Sequence, residues 1–214
     1  MTTKLLALGT TRFKQIFMFS KNHHKTILTA LLIFITTWGF TQHKYEWEHR
    51  IRKAQFPDEA LQLISEKLQD AKRVKFYKET DSTKVSYEAK FKKDRLHYSI
   101  EFDENGVLED VEILIKPVDI PDDSYTKMTK YLGNSFKKYR IRRMQQHYSV
   151  GKEGVEKTLR NAFQNLMLPS IKYELIVAGR KDDGYEQFEI LFDAEGNVEK
   201  IRKSLPPNYD HVLY

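Results

Sequence analysis

The sequence predicts an α+β fold of two tandem helix-plus-antiparallel-sheet repeats, the second carrying an inserted helix. Three observations predict it. Two proline-acid segments lie 64 residues apart, two Asp-x-x-Gly turns lie 90 residues apart, and an extra amphipathic stretch falls between the second pair. Apolar residues spaced two apart flank both turns, the pattern of strands with one buried face.

The helices come first in each repeat. Phe56-Pro57-Asp58-Glu59 recurs as Ile120-Pro121-Asp122-Asp123. Proline suits the first helical turn, where its missing N–H would have no partner, and acids at that end complement the helix dipole. Ala60, Leu61, Ile64 and Leu68 follow the first segment, and Tyr125, Met128 and Leu132 the second. That spacing predicts helices that lay one apolar stripe on a sheet.

The strands match without gaps. Tyr98, Ile100, Phe102, Asp103, Gly106, Leu108 and Val111 align with Phe188, Ile190, Phe192, Asp193, Gly196, Val198 and Ile201. Glycine supplies the positive φ of a tight turn, and the aspartate accepts local backbone N–H groups. Another strand is expected ahead of each hairpin, at residues 85–91 and 173–177, and a third after each turn, through Ile113 and Ile201. An additional strand is expected at residues 74–77. The two spacings differ by 26 residues, which fall over 151–168, where Val155, Leu159, Ala162, Phe163 and Leu166 make a further helix ended by Pro169. The first repeat is thus placed at residues 54–118 and the second at 119–205, with a C-terminal tail at 206–214. The insertion breaks the pseudo-symmetry, which makes it the first place to look for a specialised face.

Residues 1–41 read as a signal peptide or N-terminal membrane segment. Lys21, His23, His24 and Lys25 precede an apolar run over residues 26–41, the charge-then-apolar order of an export signal. Gly39 and Thr41 place small side chains two apart, so the cut is expected between Thr41 and Gln42. A spanning helix needs about 20 apolar residues, and this run is shorter. Cleavage is therefore the expectation, with a retained anchor as the alternative; Met1 and Met18 are both available starts. The whole chain carries 36 Lys and Arg against 30 Asp and Glu, yet residues 1–41 hold five of those bases and no acid. Without them 31 bases face 30 acids, which removes the main support for a nucleic-acid partner. The absence of cysteine excludes disulfides, thiolate metal sites, cysteine nucleophiles and a lipidated N-terminal cysteine.

Linear motifs for chemistry are missing. His43, His49, His97, His147 and His211 have no spacing that would place two on one helix face, and no nucleophile elbow or phosphate loop occurs. Asp122-Asp123 and Asp182-Asp183 read as a helix start and a turn, and Asp103-Glu104-Asn105-Gly106 as a hairpin turn rather than a calcium loop. No catalytic residue, metal site or cofactor is expected. One basic run, Lys137, Lys138, Arg140, Arg142 and Arg143, has two readings: a docking patch for an acidic partner, or the solvated side of a strand with Tyr139 and Ile141 inward. Residues 72–78 repeat its pattern, which favours the strand.

The helix start Phe56-Pro57-Asp58-Glu59-Ala60, the hairpin Tyr98-x-Ile100-x-Phe102-Asp103-x-x-Gly106 and the export signal together resemble the PepSY-like proteins common in Bacteroidota, related in fold to beta-lactamase inhibitor protein. The resemblance covers roughly residues 54–204. It implies a periplasmic or secreted, non-catalytic module that binds or inhibits a protein or peptide of the cell envelope, with no catalytic residues to transfer. The sequence alternative is a membrane-anchored extracytoplasmic sensor; an enzyme would instead require a pocket of converging Asp, Glu and His side chains. Tyr87, Tyr98 and Tyr148 are expected as exposed contact aromatics.

Overall fold

The computed structural model describes residues 43–44, 46–81, 84–182 and 184–204. The export segment, the Thr41–Gln42 bond and the tail at 206–214 lie outside the described residues. Among those described, no helix is long and apolar enough to cross a membrane.

The elements run β1 (His43–Lys44), β2 (Glu46–Ile51), α1 (Asp58–Leu68), β3 (Lys72–Asp81), β4 (Lys84–Lys93), β5 (Leu96–Asp103), β6 (Leu108–Leu114), α2 (Asp122–Ser135), β7 (Lys138–Ser149), α3 (Val155–Phe163), β8 (Lys172–Lys181), β9 (Gly184–Asp193) and β10 (Val198–Ser204). Each repeat is a helix followed by a four-strand antiparallel meander, one strand more than the hairpin match alone predicts. The strands expected at residues 74–77 and around 137–143 are the equivalent first strands, β3 and β7. Pro57 and Pro121 stand at the N-cap positions, one residue ahead of the first turn, and Asp58, Glu59, Asp122 and Asp123 fill that turn as expected.

The repeats share one sheet and one core. β6 pairs antiparallel with β7, joining the two meanders, and the strand order is β1-β10-β9-β8-β7-β6-β5-β4-β3-β2. A single residue separates β1 from β2, yet β1 pairs in parallel with β10 while β2 pairs with β3 at the other end. One short length of chain therefore touches both ends of the strand order, and the sheet curls toward closure. Its outer face carries the helices and the apolar core, including Ile64, Ile100, Phe102, Ile113, Met128, Leu132, Tyr173, Leu175, Ile190 and Phe192.

The two Asp-x-x-Gly turns are built alike. Asp103 and Asp193 each donate a backbone N–H to the carbonyl of Val107 and Asn197, at 2.9 Å in both, and each accepts the N–H of the same residue on its carboxylate. Gly106 rests on Pro57 and Ala60, and Gly196 on the backbone of Ser124, the position 64 residues beyond Ala60. Each glycine thus seats its hairpin on the first turn of its own repeat's helix. Ser124 adds a hydrogen bond of 2.8 Å to the Ala194 carbonyl.

The inserted helix α3 packs over β6 and β7, the seam between the repeats. Phe163 at its end stacks on Tyr98 at 4.7 Å between ring centres, and Tyr98 in turn on Phe91 at 5.5 Å. The insertion is therefore used to cover the joint. This also corrects the expectation of exposed tyrosines: Tyr98 and Tyr148 are buried, because both occupy outward positions under α3 and the segment after it. The Tyr148 hydroxyl donates to the Leu166 carbonyl at 3.1 Å and accepts from Gln146. Tyr87 is half-buried at the edge of the core.

Adding a methyl group at the two turn glycines separates strain from collision. Both have φ near +80°, at +78° and +82°, but a Cβ on Gly106 meets the Pro57 side chain at 3.0 Å whereas one on Gly196 runs into the Ser124 carbonyl. A side chain at positive φ costs about 1–2 kcal/mol and overpacking adds roughly 1–3 kcal/mol. Urea unfolding should therefore show Gly196→Ala losing about 3 kcal/mol and Gly106→Ala about half that. Equal losses would contradict the seating of the second turn on Ser124.

Candidate functional site

Residues alternate across a strand, so those between the core positions point to the inner face of the curl. On β4 they include Ser86, Glu88 and Lys90; on β5, Ser99 and Glu101; on β6, Asp110 and Glu112; on β7, Gln145 and His147. The register aligns them in rows: Glu88 opposite Glu101, Glu101 opposite Asp110, Ser99 opposite Glu112, and Glu112 opposite His147. Residues from every strand between β3 and β10, from Glu79 to Arg202, line one cleft of about 220 Å³. In a flat sheet with strands about 4.8 Å apart, β3 and β10 would stand roughly 34 Å from each other. The curl alone brings them to a shared cavity.

The acids of this face are neutralised unevenly. Lys90 sends its ammonium between Glu48 at 2.9 Å and Glu88 at 2.6 Å, over the Tyr77 ring, while Ser99 donates to the other Glu88 oxygen. Burial opposes charge on Lys90, but Glu88 and Glu48 outweigh it and hold its pKa above the usual lysine value. Farther along, Asp110, Glu112 and His147 bring one ligand atom each to within 4.8 Å of one another. His147 Nε2 lies 3.3 Å from Asp110 Oδ2 and Nδ1 lies 3.2 Å from Ser149 Oγ, while Gln145 donates to Glu112. The second oxygen of Asp110 is buried without a partner. The nearby cations are engaged elsewhere: Lys84 with Glu109 and Lys172 with Glu199, both at 2.5 Å, and Arg202 with Glu189 at 3.7 Å.

The ionisation of these groups follows from their setting. Burial pushes Glu112 and Glu101 well above the usual carboxyl range, and the negative charges around them add to the shift. Burial resists charging His147, yet the hydrogen bond and charge of Asp110 prevail and hold its pKa above the ordinary histidine value.

Ser149, His147 and Asp110 are the residue types of an acyl-transfer triad, and their contacts form a chain. The backbone denies them the other half of that chemistry. A tetrahedral intermediate needs free N–H donors aimed at its oxyanion, and the N–H following Ser149, on Val150, is bonded to the Glu109 carbonyl at 3.1 Å. The arrangement serves to hold charge and orient a ring rather than to cleave an acyl bond.

A second cleft, of about 340 Å³, adjoins the first through Ser99 and Gln145. Arg73 and Lys75 of β3, Lys92 of β4, His97 of β5 and Arg143 of β7 make it basic. Among the described residues, Arg73, Lys75, Lys92 and Arg143 have no carboxylate partner. Of the basic run read from the sequence, the structure brings only Arg143 into this cleft. Lys137 pairs with Asp182 at 2.5 Å on the surface, and Lys138, Arg140 and Arg142 are exposed. A bulge between Ile141 and Arg143 interrupts the run, with Tyr139 and Ile141 half-buried against the core as the strand reading expected. The grouping of Asp110, Glu112 and His147 escaped the sequence reading. Its one linear trace is the Asp110-x-Glu112 alternation within β6.

The raised carboxyl pKa values set a pH dependence. In the unfolded chain Glu112 loses its proton around 4.5, whereas the fold retains it to higher pH. Its contribution to stability is therefore intact below 4.5 and declines as pH rises toward the folded value. Glu112→Gln removes the ionisation, so in the presence of a chelator its melting temperature at about pH 8 should exceed the wild type's by roughly 2–4 °C, the shift of about 1 kcal/mol in a chain this size. The gap should close near pH 4.5; parallel pH profiles would refute the assignment.

No family model matches the sequence, and no curated protein matches it. Solved structures similar to it come from Bacteroides. A DUF2874 family protein from Bacteroides ovatus is 10% identical with a TM-score of 0.47, over 69% of this chain and 87% of that one. A protein from Bacteroides eggerthii, provisionally described as periplasmic, is 12% identical with a TM-score of 0.47, over 69% and 88%. A BLIP-like protein from Bacteroides fragilis is 13% identical with a TM-score of 0.44, over 74% and 92%. These are the same kind of chain that the PepSY-like resemblance names, and the likeness assigns no partner and no activity.

Proposed function

We propose that the chain is an exported, non-catalytic binding module of the cell envelope, an inhibitor or interaction protein that accepts an acidic segment of a protein or peptide in its basic cleft. The observation that carries this reading is the meeting of Arg73 and Lys75 with Arg143 across the inner face, from equivalent strands of the two repeats, without carboxylate partners among the described residues. Cations held on rigid strands in a concave site lose little freedom on binding and attract a complementary charge from a distance. No nucleic acid and no cofactor enter this reading.

Membrane contact enters only through the N-terminal segment. The apolar run at residues 26–41 supports a second reading, a membrane-anchored extracytoplasmic sensor carrying the same module. N-terminal sequencing of protein recovered from the envelope separates the two: a start at or near Gln42 is expected and removes the anchor, whereas a start at Met1 or Met18 favours the sensor.

Fluorescence anisotropy with a labelled polyglutamate peptide tests the cleft. Binding is expected to weaken as salt is raised, to fall at least about tenfold in the Lys75→Glu, Arg143→Glu double variant, and to persist in Lys130→Glu, a change on the outer surface of α2. Affinity-capture from envelope extract should lose its partner in the same double variant. Equal capture by all three proteins would count against the cleft as the docking site.

A further inference from the structure

The inner face contains two acidic groupings that act as a comparison for one another. Glu48, Glu79 and Glu88 have ligand atoms within 4.8 Å, and the chain itself supplies their cation, Lys90. Asp110, Glu112 and His147 are as close together, yet no lysine or arginine reaches in; Lys84, Lys172 and Arg202 are turned to other carboxylates. The same fold thus fills one such site internally and leaves the other to be filled.

Two further observations point to what fills it. The Oδ1 atom of Asp110 is buried with no partner, and Glu112 beside it is only 6% exposed. A buried acceptor left unpaired costs stability and calls for an explanation. Glu101, opposite Asp110 in the ladder, brings another carboxyl with no hydrogen bond or ion pair among the described residues. The donor set is also mixed, an imidazole with carboxylates, which suits a first-row transition ion better than calcium or magnesium.

We propose that Asp110, Glu112 and His147 bind one divalent transition-metal cation of the zinc class. Donors about 2.0–2.2 Å from a common ion lie at most about 4.4 Å apart. The present limit of 4.8 Å needs an adjustment of a few tenths of an ångström. The outer contacts already suit the task. Ser149 meets Nδ1 of His147, so that Nε2 faces Asp110, and Gln145 holds one oxygen of Glu112. Such partners fix the orientation of ligands and sharpen affinity. The role is independent of the basic cleft, and the ion would offset the charge that the sheet encloses.

The test is equilibrium dialysis of the chelator-stripped full chain against Zn²⁺, with elemental analysis. One equivalent is expected, with weaker uptake of Ca²⁺. His147→Gln and Asp110→Asn should each weaken binding at least about tenfold, and Glu48→Gln, in the grouping served by Lys90, should leave it unchanged. Circular dichroism establishes whether the variants fold. Should they fail, Co²⁺ bound to the wild-type chain gives a visible spectrum and shifts the His147 ring resonances, and Zn²⁺ displaces it. Absence of bound zinc, binding that survives both ligand variants, preference for Ca²⁺, or a cobalt complex that leaves the His147 resonances in place would each overturn the proposal.

Discussion

Everything in this molecule depends on the curl of a single antiparallel sheet. Alternation along a strand gives any sheet two faces, and curvature makes them unequal. The outer face has room for three helices and takes the apolar residues. The inner face has no covering layer, so its side chains must satisfy one another within a confined space. Charged residues that would be solvated on a flat sheet are drawn together instead. The buried pair of Lys90 with Glu88 and the partnerless oxygen of Asp110 are two results of that crowding.

The duplicated elements explain how the curl is held. In each repeat a glycine turn sits on the start of a helix, fixing where that helix crosses the outer face. Two such seats would leave a joint between the meanders, and α3 closes it with Phe163 stacked on an aromatic pair from the first repeat. The departure from symmetry is thus structural in effect. It lies where two equal units most need a third, because β6 and β7 otherwise present their outer residues to water.

Much of the outer face was legible in the sequence. Turn glycines, proline-acid helix starts and two-residue alternation are local signals, and each corresponds to an element in the fold. The resemblance between residues 72–78 and 137–143 correctly marked equivalent strands. Curvature was not legible, since it accumulates over many strand pairs and leaves no mark on any single one. Tyr98 and Tyr148 were therefore assigned to solvent although α3 and the segment after it cover them. For the same reason Arg143 could not be connected with Arg73, nor His147 with Asp110 and Glu112. Those neighbours are set by register and closure, and parity within β6 alone gave no sign of the histidine.

The segment from His43 to Ile51 bridges β10 and β3, and it begins just behind the expected cleavage site. Its two partners lie at very different points in synthesis: β3 follows within some thirty residues, whereas β10 is the last strand made. The ring can be joined only after the whole polypeptide has emerged on the far side of the membrane. Contacts of such long sequence separation are slow to form, so the final act of maturation is the meeting of the chain's two extremities.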